Sequence, residues 1–182
     1  MPRAPESFET TRLLLRPLAL SDASGIFHGY ASDVEATRFM TFSRHRSLDE
    51  SHQFARRCVA CWQDGSAYPW AIVARDTGEF AGAIEMRMRP PKADFGYILC
   101  KAFWGRGYAT EAATAIVSWA IGQPDIFRVW ATCHPGNVRS ARVLEKSGLK
   151  HEGRLANWEA RPNIGEPAGE SLVYALTRST QG

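Results

Sequence analysis

The sequence predicts an α/β fold, with a sheet of about seven strands flanked by about four helices. Three observations lead there. Apolar spacing switches between strand and helix periodicity in the order β α α β β β α β α β β. A glycine-bearing run, Trp104-Gly105-Arg106-Gly107-Tyr108-Ala109-Thr110-Glu111-Ala112-Ala113, sits between a strand-like stretch and a helix-like one. The 182 residues, 45% hydrophobic and 23% charged, can bury one sizeable core, so residues 1–182 are expected to form a single domain.

Each element has its own signal. Arg12 to Leu18 reads as the first strand, ended by Pro17. Ser21-Asp22 offers N-caps for a short helix to about Ala31. Asp33 to Arg46 shows no clear period. Ser47-Leu48-Asp49-Glu50 is a capping box, and the helix it opens carries Phe54, Cys58, Cys61 and Trp62 on one stripe before Asp64-Gly65. Trp70 to Ala74 and Phe80 to Met88 are strands joined by the turn Asp76-Thr77-Gly78. Pro90-Pro91 breaks the second, and Asp94 to Cys100 is the strand that feeds the glycine run. Beyond that run, Ala112, Ala113, Ile116, Val117, Ala120 and Ile121 mark one buried helix face. Phe127 to Cys133 is a strand, and Asn137 caps a helix to Ser147 with Gly148 as its stop. Gly153 to Ala160 and Ser171 to Thr177 are weaker strands around a loop expected from Pro162 to Gly169.

The glycine run is the candidate binding element. Main-chain N–H groups at a helix start are unpaired and the helix dipole is positive there. Gly105 and Gly107 remove the Cβ atoms that would hold a ligand off that backbone, so the turn suits a phosphate or diphosphate. A nucleotide-hydrolase loop needs Gly-Lys-Ser/Thr, whereas Tyr108 follows Gly107. A dinucleotide fingerprint needs a third Gly, where this chain has Thr110.

The run resembles the acetyl-CoA diphosphate loop of the GNAT N-acetyltransferases, Gln/Arg-x-x-Gly-x-Gly/Ala, with Gly107 and Ala109 at the small positions and Trp104 in place of the leading residue. Trp-Gly-Arg-Gly-Tyr-Ala-Thr-Glu-Ala and the opening Glu-Thr-Thr-Arg-Leu-Leu-Leu-Arg-Pro-Leu are similar to the RimJ/RimL branch, which acetylates protein N-termini and small amines. Asn137-Val138-Arg139-Ser140 with Lys146-Ser147-Gly148 resembles the family's later helix. The resemblance covers nearly the whole chain. It implies a mixed, mostly antiparallel sheet with splayed central strands, and the pantetheine arm of acetyl-CoA in the gap between Asp94–Cys100 and Phe127–Cys133.

The resemblance also implies roles. Trp104, Gly105, Arg106, Gly107, Tyr108, Ala109 and Thr110 would hold the diphosphate, and Ile98, Leu99 and Cys100 would line the arm. Ile98 N–H would bond the thioester carbonyl, and Asn137, also a helix cap, would bond the pantetheine. Direct transfer then needs a neutral amine within attack distance. An α-amine has a pKa near ~8 and a lysine near ~10.4, so a base helps the latter more. Asp94 is the first candidate base, Glu85 the second and His134 the third. For the leaving thiolate, Leu144 stands where many relatives place a Tyr, so Ser140 is the proton donor offered. Phe39, Phe42, His45, Trp62, Tyr68 and Trp158 are candidate linings of the acceptor pocket. Cys100 and Cys133 lack neighbours that would activate a thiol as acetyl carrier.

The expected activity is acetyl-CoA-dependent N-acetylation of a primary amine, either a protein N-terminal α-amine or a small amine. A non-catalytic acyl-CoA-binding sensor of the same fold is the alternative. A net charge of +3 is too small to argue for nucleic acid, so none is expected as a partner, and no apolar run reaches membrane-spanning length, so a cytoplasmic protein is expected, with room for a homodimer. Cys58-x-x-Cys61 lies in a helical pattern and no Cys/His spacing completes a zinc site, so no metal is expected.

Overall fold

The computed structural model describes residues 3–178. Eight strands form one sheet: β1 (Phe8–Glu9), β2 (Leu13–Pro17), β3 (Tyr68–Ala74), β4 (Phe80–Arg89), β5 (Lys92–Leu99), β6 (Arg128–Cys133), β7 (Lys150–Arg161) and β8 (Glu166–Thr177). Their order is β1-β2-β3-β4-β5-β6-β8-β7, antiparallel except where β5 meets β6. The strand beyond the seven expected is β1, two residues held against Leu14 and Leu15 and too short to leave a periodic signal.

The segment expected as one helix to Ala31 is broken into a 3-10 turn (Leu20–Asp22), α1 (Ala23–Ile26) and a π turn (Phe27–Ala31). Asp22 does not cap α1. Its carboxylate accepts both Arg16 Nη atoms at 2.7 and 2.8 Å and the Ala19 N–H at 2.8 Å, so the expected cap is an ion pair instead. The aperiodic stretch after it holds α2 (Val34–Thr37), capped by Asp33 through the Glu35 and Ala36 N–H groups. For α3 (Leu48–Asp64) the capping signal holds on the Ser47 side: Ser47 Oγ accepts Glu50 N–H, and Gly65 closes the helix at φ 72°. The Glu50 carboxylate accepts from Arg46 N–H rather than from the cap residue.

The loop expected from Pro162 to Gly169 shrinks to a 3-10 turn, Pro162–Ile164, and Gly165. Pro167 and Gly169 lie in β8. They are tolerated because β6 pairs only from Leu172 onward, which leaves that flank of β8 without a ladder for Pro167 to break.

Leu13, Leu15, Trp70, Ile72, Ile84, Met86 and Ile116 are fully buried and form the centre of the core. The helix α4 (Tyr108–Ile121) packs across β2, β4, β5 and β6, while α1 and α3 contact β4 and β3. The ladder between β5 and β6 ends after Lys92/Arg128, Ala93/Val129 and Asp94/Trp130. Past Asp94 the two strands part, and β5 runs on to Leu99 paired only with β4. That split places everything that follows.

Candidate active site

The split opens toward the mouth of α4. Gly107 is its N-cap at φ 80° and Gly105 lies at φ 75°, both in the left-handed region where glycine carries no Cβ penalty. Gly107 supplies no side-chain cap, and the N–H groups of Tyr108, Ala109 and Thr110 have no acceptor among the described residues. Tyr108 turns its ring inward onto Phe103, centroids 5.7 Å apart. At Gly107 and Tyr108 the turn therefore offers main chain to a ligand. Trp104 Nε1 donates to the Leu99 carbonyl at 3.1 Å, with the Arg139 guanidinium 5.1 Å from its ring centroid, while Arg106 lies over Phe103. These contacts join the end of β5 to the loop.

Strand parity decides which main-chain groups face the split. Cys100 N–H donates to the Ala81 carbonyl at 2.9 Å, and the Ile98 carbonyl lies against Gly82, where an added Cβ would collide with it. Ile98 and Cys100 thus turn their main chain toward β4. Because facing alternates residue by residue, Tyr97 and Leu99 turn theirs toward the gap. The Ile98 N–H is therefore turned to β4, and the N–H groups on the gap side belong to Tyr97 and Leu99. Parity depends on register with β4, which residue types do not encode.

Side chains on β5 alternate likewise. Tyr97 points to α5 (Val138–Lys146), and its hydroxyl donates to Ser140 Oγ at 3.2 Å. Burial pushes the Tyr97 phenol up to about 12, with the Ser140 contact working in the opposite direction. Asn137 Oδ1 accepts Ser140 N–H at 3.2 Å as the helix cap, leaving its amide nitrogen without a partner among the described residues. Leu144 is fully buried. Cys100 and Cys133 are buried thiols whose burial raises each to about 11, so neither is a thiolate near neutrality.

On the opposite face Glu85, Arg87 and Asp94 form one cluster. Arg87 Nε donates to Asp94 Oδ2 and Nη1 to Glu85 Oε1, both at 2.6 Å, and Arg89 approaches Asp94 Oδ1 at 3.9 Å. Burial works against the Arg87 charge, but these two carboxylates more than offset it and its pKa is raised. Gly96, the register partner of Glu85, is exposed, and nothing lies within 4 Å of where its Cβ would be. This face of the sheet is open at that point. His134 is tied up: Nδ1 accepts Gly136 N–H at 2.9 Å, its ring stacks on Phe39 at 4.7 Å, and Nε2 lies 3.4 Å from Glu166 Oε1.

The structure adds a carboxylate that sequence reasoning missed. Glu159 of β7 reaches Thr132 of β6, whose hydroxyl lies 3.2 and 3.1 Å from its two oxygens. Oε2 also takes Arg161 Nη2 at 3.1 Å and Ser171 Oγ at 3.0 Å, whereas Oε1 has no other partner among the described residues. Arg161 is 1% exposed, so its charge is held by this network. The strand bulges between Leu155 and Glu159, with Asn157 at φ 50°, and Trp158 meets Trp130 at 6.5 Å. A lone Asn before Trp-Glu was the available signal, and it is too common to read.

The other expected linings divide. Trp62 and Tyr68 pack with Trp70 in the core, and His45 is buried with Nδ1 2.7 Å from Ser51 Oγ. Asn163, at the β7–β8 tip, clasps the α2–α3 connection: its amide donates to the Thr37 and Phe42 carbonyls at 2.7 and 2.9 Å, and Oδ1 accepts Arg44 N–H.

A sheet split beside a bare helix mouth, with carboxylates and an open glycine at the vertex, marks the class of domains that hold a long phosphate-bearing ligand against a second reactant. The model of the acetyltransferase (GNAT) domain matches residues 12–150, so the chain belongs to the GNAT acetyltransferase family. The uncharacterized N-acetyltransferase YoaA of Bacillus subtilis is 29% identical over 153 residues, 82% of this chain and 86% of its own. The microcin C7 self-immunity acetyltransferase MccE, solved with acetyl-CoA and AMP, superposes with a TM-score of 0.85 at 18% identity, covering 97% of this chain and 98% of its own. RimL, the ribosomal L7/L12 alpha-N-protein acetyltransferase solved with coenzyme A, gives a TM-score of 0.82 at 20% identity, covering 94% and 98%. Among the described residues no helix is long and apolar enough to cross a membrane.

Proposed function

We propose that the chain moves the acetyl group of acetyl-CoA directly to a primary amine, a protein N-terminal α-amine or a small amine. One observation carries this reading: the unpaired edge of β5 runs from the open mouth of α4 to the open face at Gly96. The diphosphate sits on the N–H groups at Gly107–Thr110, and the pantetheine arm pairs with the Tyr97 and Leu99 main chain. Tyr97 N–H then faces the oxygen that becomes anionic on attack. Trp104, Arg106, Asn137 and Ser140 flank the arm.

The amine approaches over Gly96, between Glu85 and Asp94 on one side and Trp130 and Thr132 on the other. A base needs an oxygen with a free lone pair facing the reacting proton. Arg87 occupies one oxygen each of Asp94 and Glu85. Arg161 likewise occupies Oε2 of Glu159, but Oε1 meets the Thr132 hydroxyl on β6, across the approach from Glu85 and Asp94, so we assign proton acceptance to Glu159 through a bridging water, with Asp94 and Glu85 shaping the acidic floor. Ser140 returns a proton to the leaving thiolate. No thiol need carry the acetyl group. The test is release of CoA thiol from acetyl-CoA against a panel of N-terminal peptides and small amines. Calorimetry showing no uptake of CoA overturns the reading.

A further inference from the structure

We propose that Arg12, at the start of the chain, is a positioning residue for the coenzyme diphosphate. This rests on the reading above. Glu111 lies in the first turn of α4, where a carboxylate favours the helix but repels a bound phosphate. Both of its oxygens are occupied from the Thr10–Arg12 segment. Oε1 accepts Thr10 Oγ1 at 2.7 Å and Arg12 N–H at 2.8 Å, and Oε2 accepts Arg12 Nε at 2.8 Å and Nη2 at 2.7 Å.

The same guanidinium reaches the loop itself. Nη1 donates to the Arg106 carbonyl at 2.8 Å, the group lies 4.9 Å from the Tyr108 ring centroid, and Nη2 is 3.4 Å from where a Cβ on Gly107 would sit. One cation thus neutralises the only acid of the first turn and ties down a carbonyl of the phosphate loop. It also faces the glycine whose backbone grips the ligand. Burial works to raise the Glu111 carboxyl, yet the Thr10 and Arg12 contacts more than offset it and hold it below the ordinary carboxylate value. The anion therefore persists at neutral pH and needs its counter-charge.

The experiment compares wild type, Arg12→Gln, Glu111→Gln and the double variant on two donors, acetyl-CoA and S-acetylpantetheine, which lacks the diphosphate. Calorimetric CoA affinity is measured alongside. Arg12→Gln is expected to raise KM for acetyl-CoA and Kd for CoA by about tenfold or more. The loss with acetyl-CoA should exceed that with S-acetylpantetheine by a similar factor. Glu111→Gln, which removes the anion and leaves the Arg106 contact, should bind CoA at least as tightly as wild type, and the double variant should recover part of the loss. Equal losses on both donors would mean that Arg12 only holds the fold. An unchanged Kd in Arg12→Gln, or weaker binding in Glu111→Gln, sinks this role alone. Wild type that takes up no CoA sinks the parent reading and this role together.

Discussion

The Tyr97 hydroxyl donates to Ser140 Oγ across the mouth of the β5–β6 split, joining a strand on one wall to a helix on the other. With Tyr97 as the donor, the Ser140 hydroxyl proton is not spent on the phenol and is left free to be given away. A serine alone is a weak acid, and a donor behind it steadies the alkoxide that remains.

Ser140→Ala should therefore lower kcat by about 10²-fold, the usual scale for a lost proton donor. Tyr97→Phe keeps the ring and removes only the relay, so a smaller fall of roughly tenfold is expected. CoA affinity should change by less than about twofold in both, as calorimetry would read. A rise in Kd with kcat intact would instead make the pair a wall of the cleft.

The carboxylates separate by the same logic. Asp94 and Glu85 share Arg87, while Glu159 gives Oε2 to Arg161 and Ser171 and turns Oε1 to Thr132 on β6. Glu159→Gln should lower kcat by about 10²-fold or more, as steady-state rates would read. Asp94→Asn should cost less in kcat and more in stability, since it leaves the half-buried Arg87 with Glu85 as its one carboxylate partner. If Asp94→Asn proves the more damaging to turnover, proton acceptance belongs to Asp94.

How far the sequence could be read follows from the range of each interaction. The Ser47 cap, the Gly65 stop and the bare mouth at Gly107 are local, so a few adjacent residues specify them. Strand parity at Ile98 depends on its register against Ala83, fifteen positions away, and residue types there fit either orientation. Glu159 is harder still, because it reaches β6 across β8 only after the bulge at Asn157 turns it. Asp22 looked like a cap since short acids usually are, but a nearby Arg16 competes for it and wins through two charged hydrogen bonds.

Gly107 tests the helix mouth directly. At φ 80° a side chain is strained, and a Cβ would stand 3.4 Å from Arg12 Nη2. Gly107→Val should abolish CoA binding in calorimetry. Gly107→Ala, with the same strain and less bulk, should weaken it by about tenfold or more while the protein stays folded by circular dichroism. Undiminished affinity in Gly107→Val would move the diphosphate elsewhere.

The last expectation concerns pH. His45 is buried, its N–H bonds the Ala31 carbonyl at 2.9 Å, and Nδ1 meets Ser51 Oγ, so it anchors the α2–α3 connection that Asn163 clasps. Burial lowers its pKa from the ordinary 6.5, with Glu50 opposing and Arg57 adding to the shift. The unfolded chain therefore binds the proton first. Stability from this site is complete above pH 6.5 and is lost as pH falls below it through the lower folded value. Thermal melts of wild type should decline over that interval. His45→Gln should melt roughly 2–4 °C lower at neutral pH for each kcal/mol lost and show a flatter curve below 6.5. Parallel curves for the two proteins would place the acid sensitivity in another group.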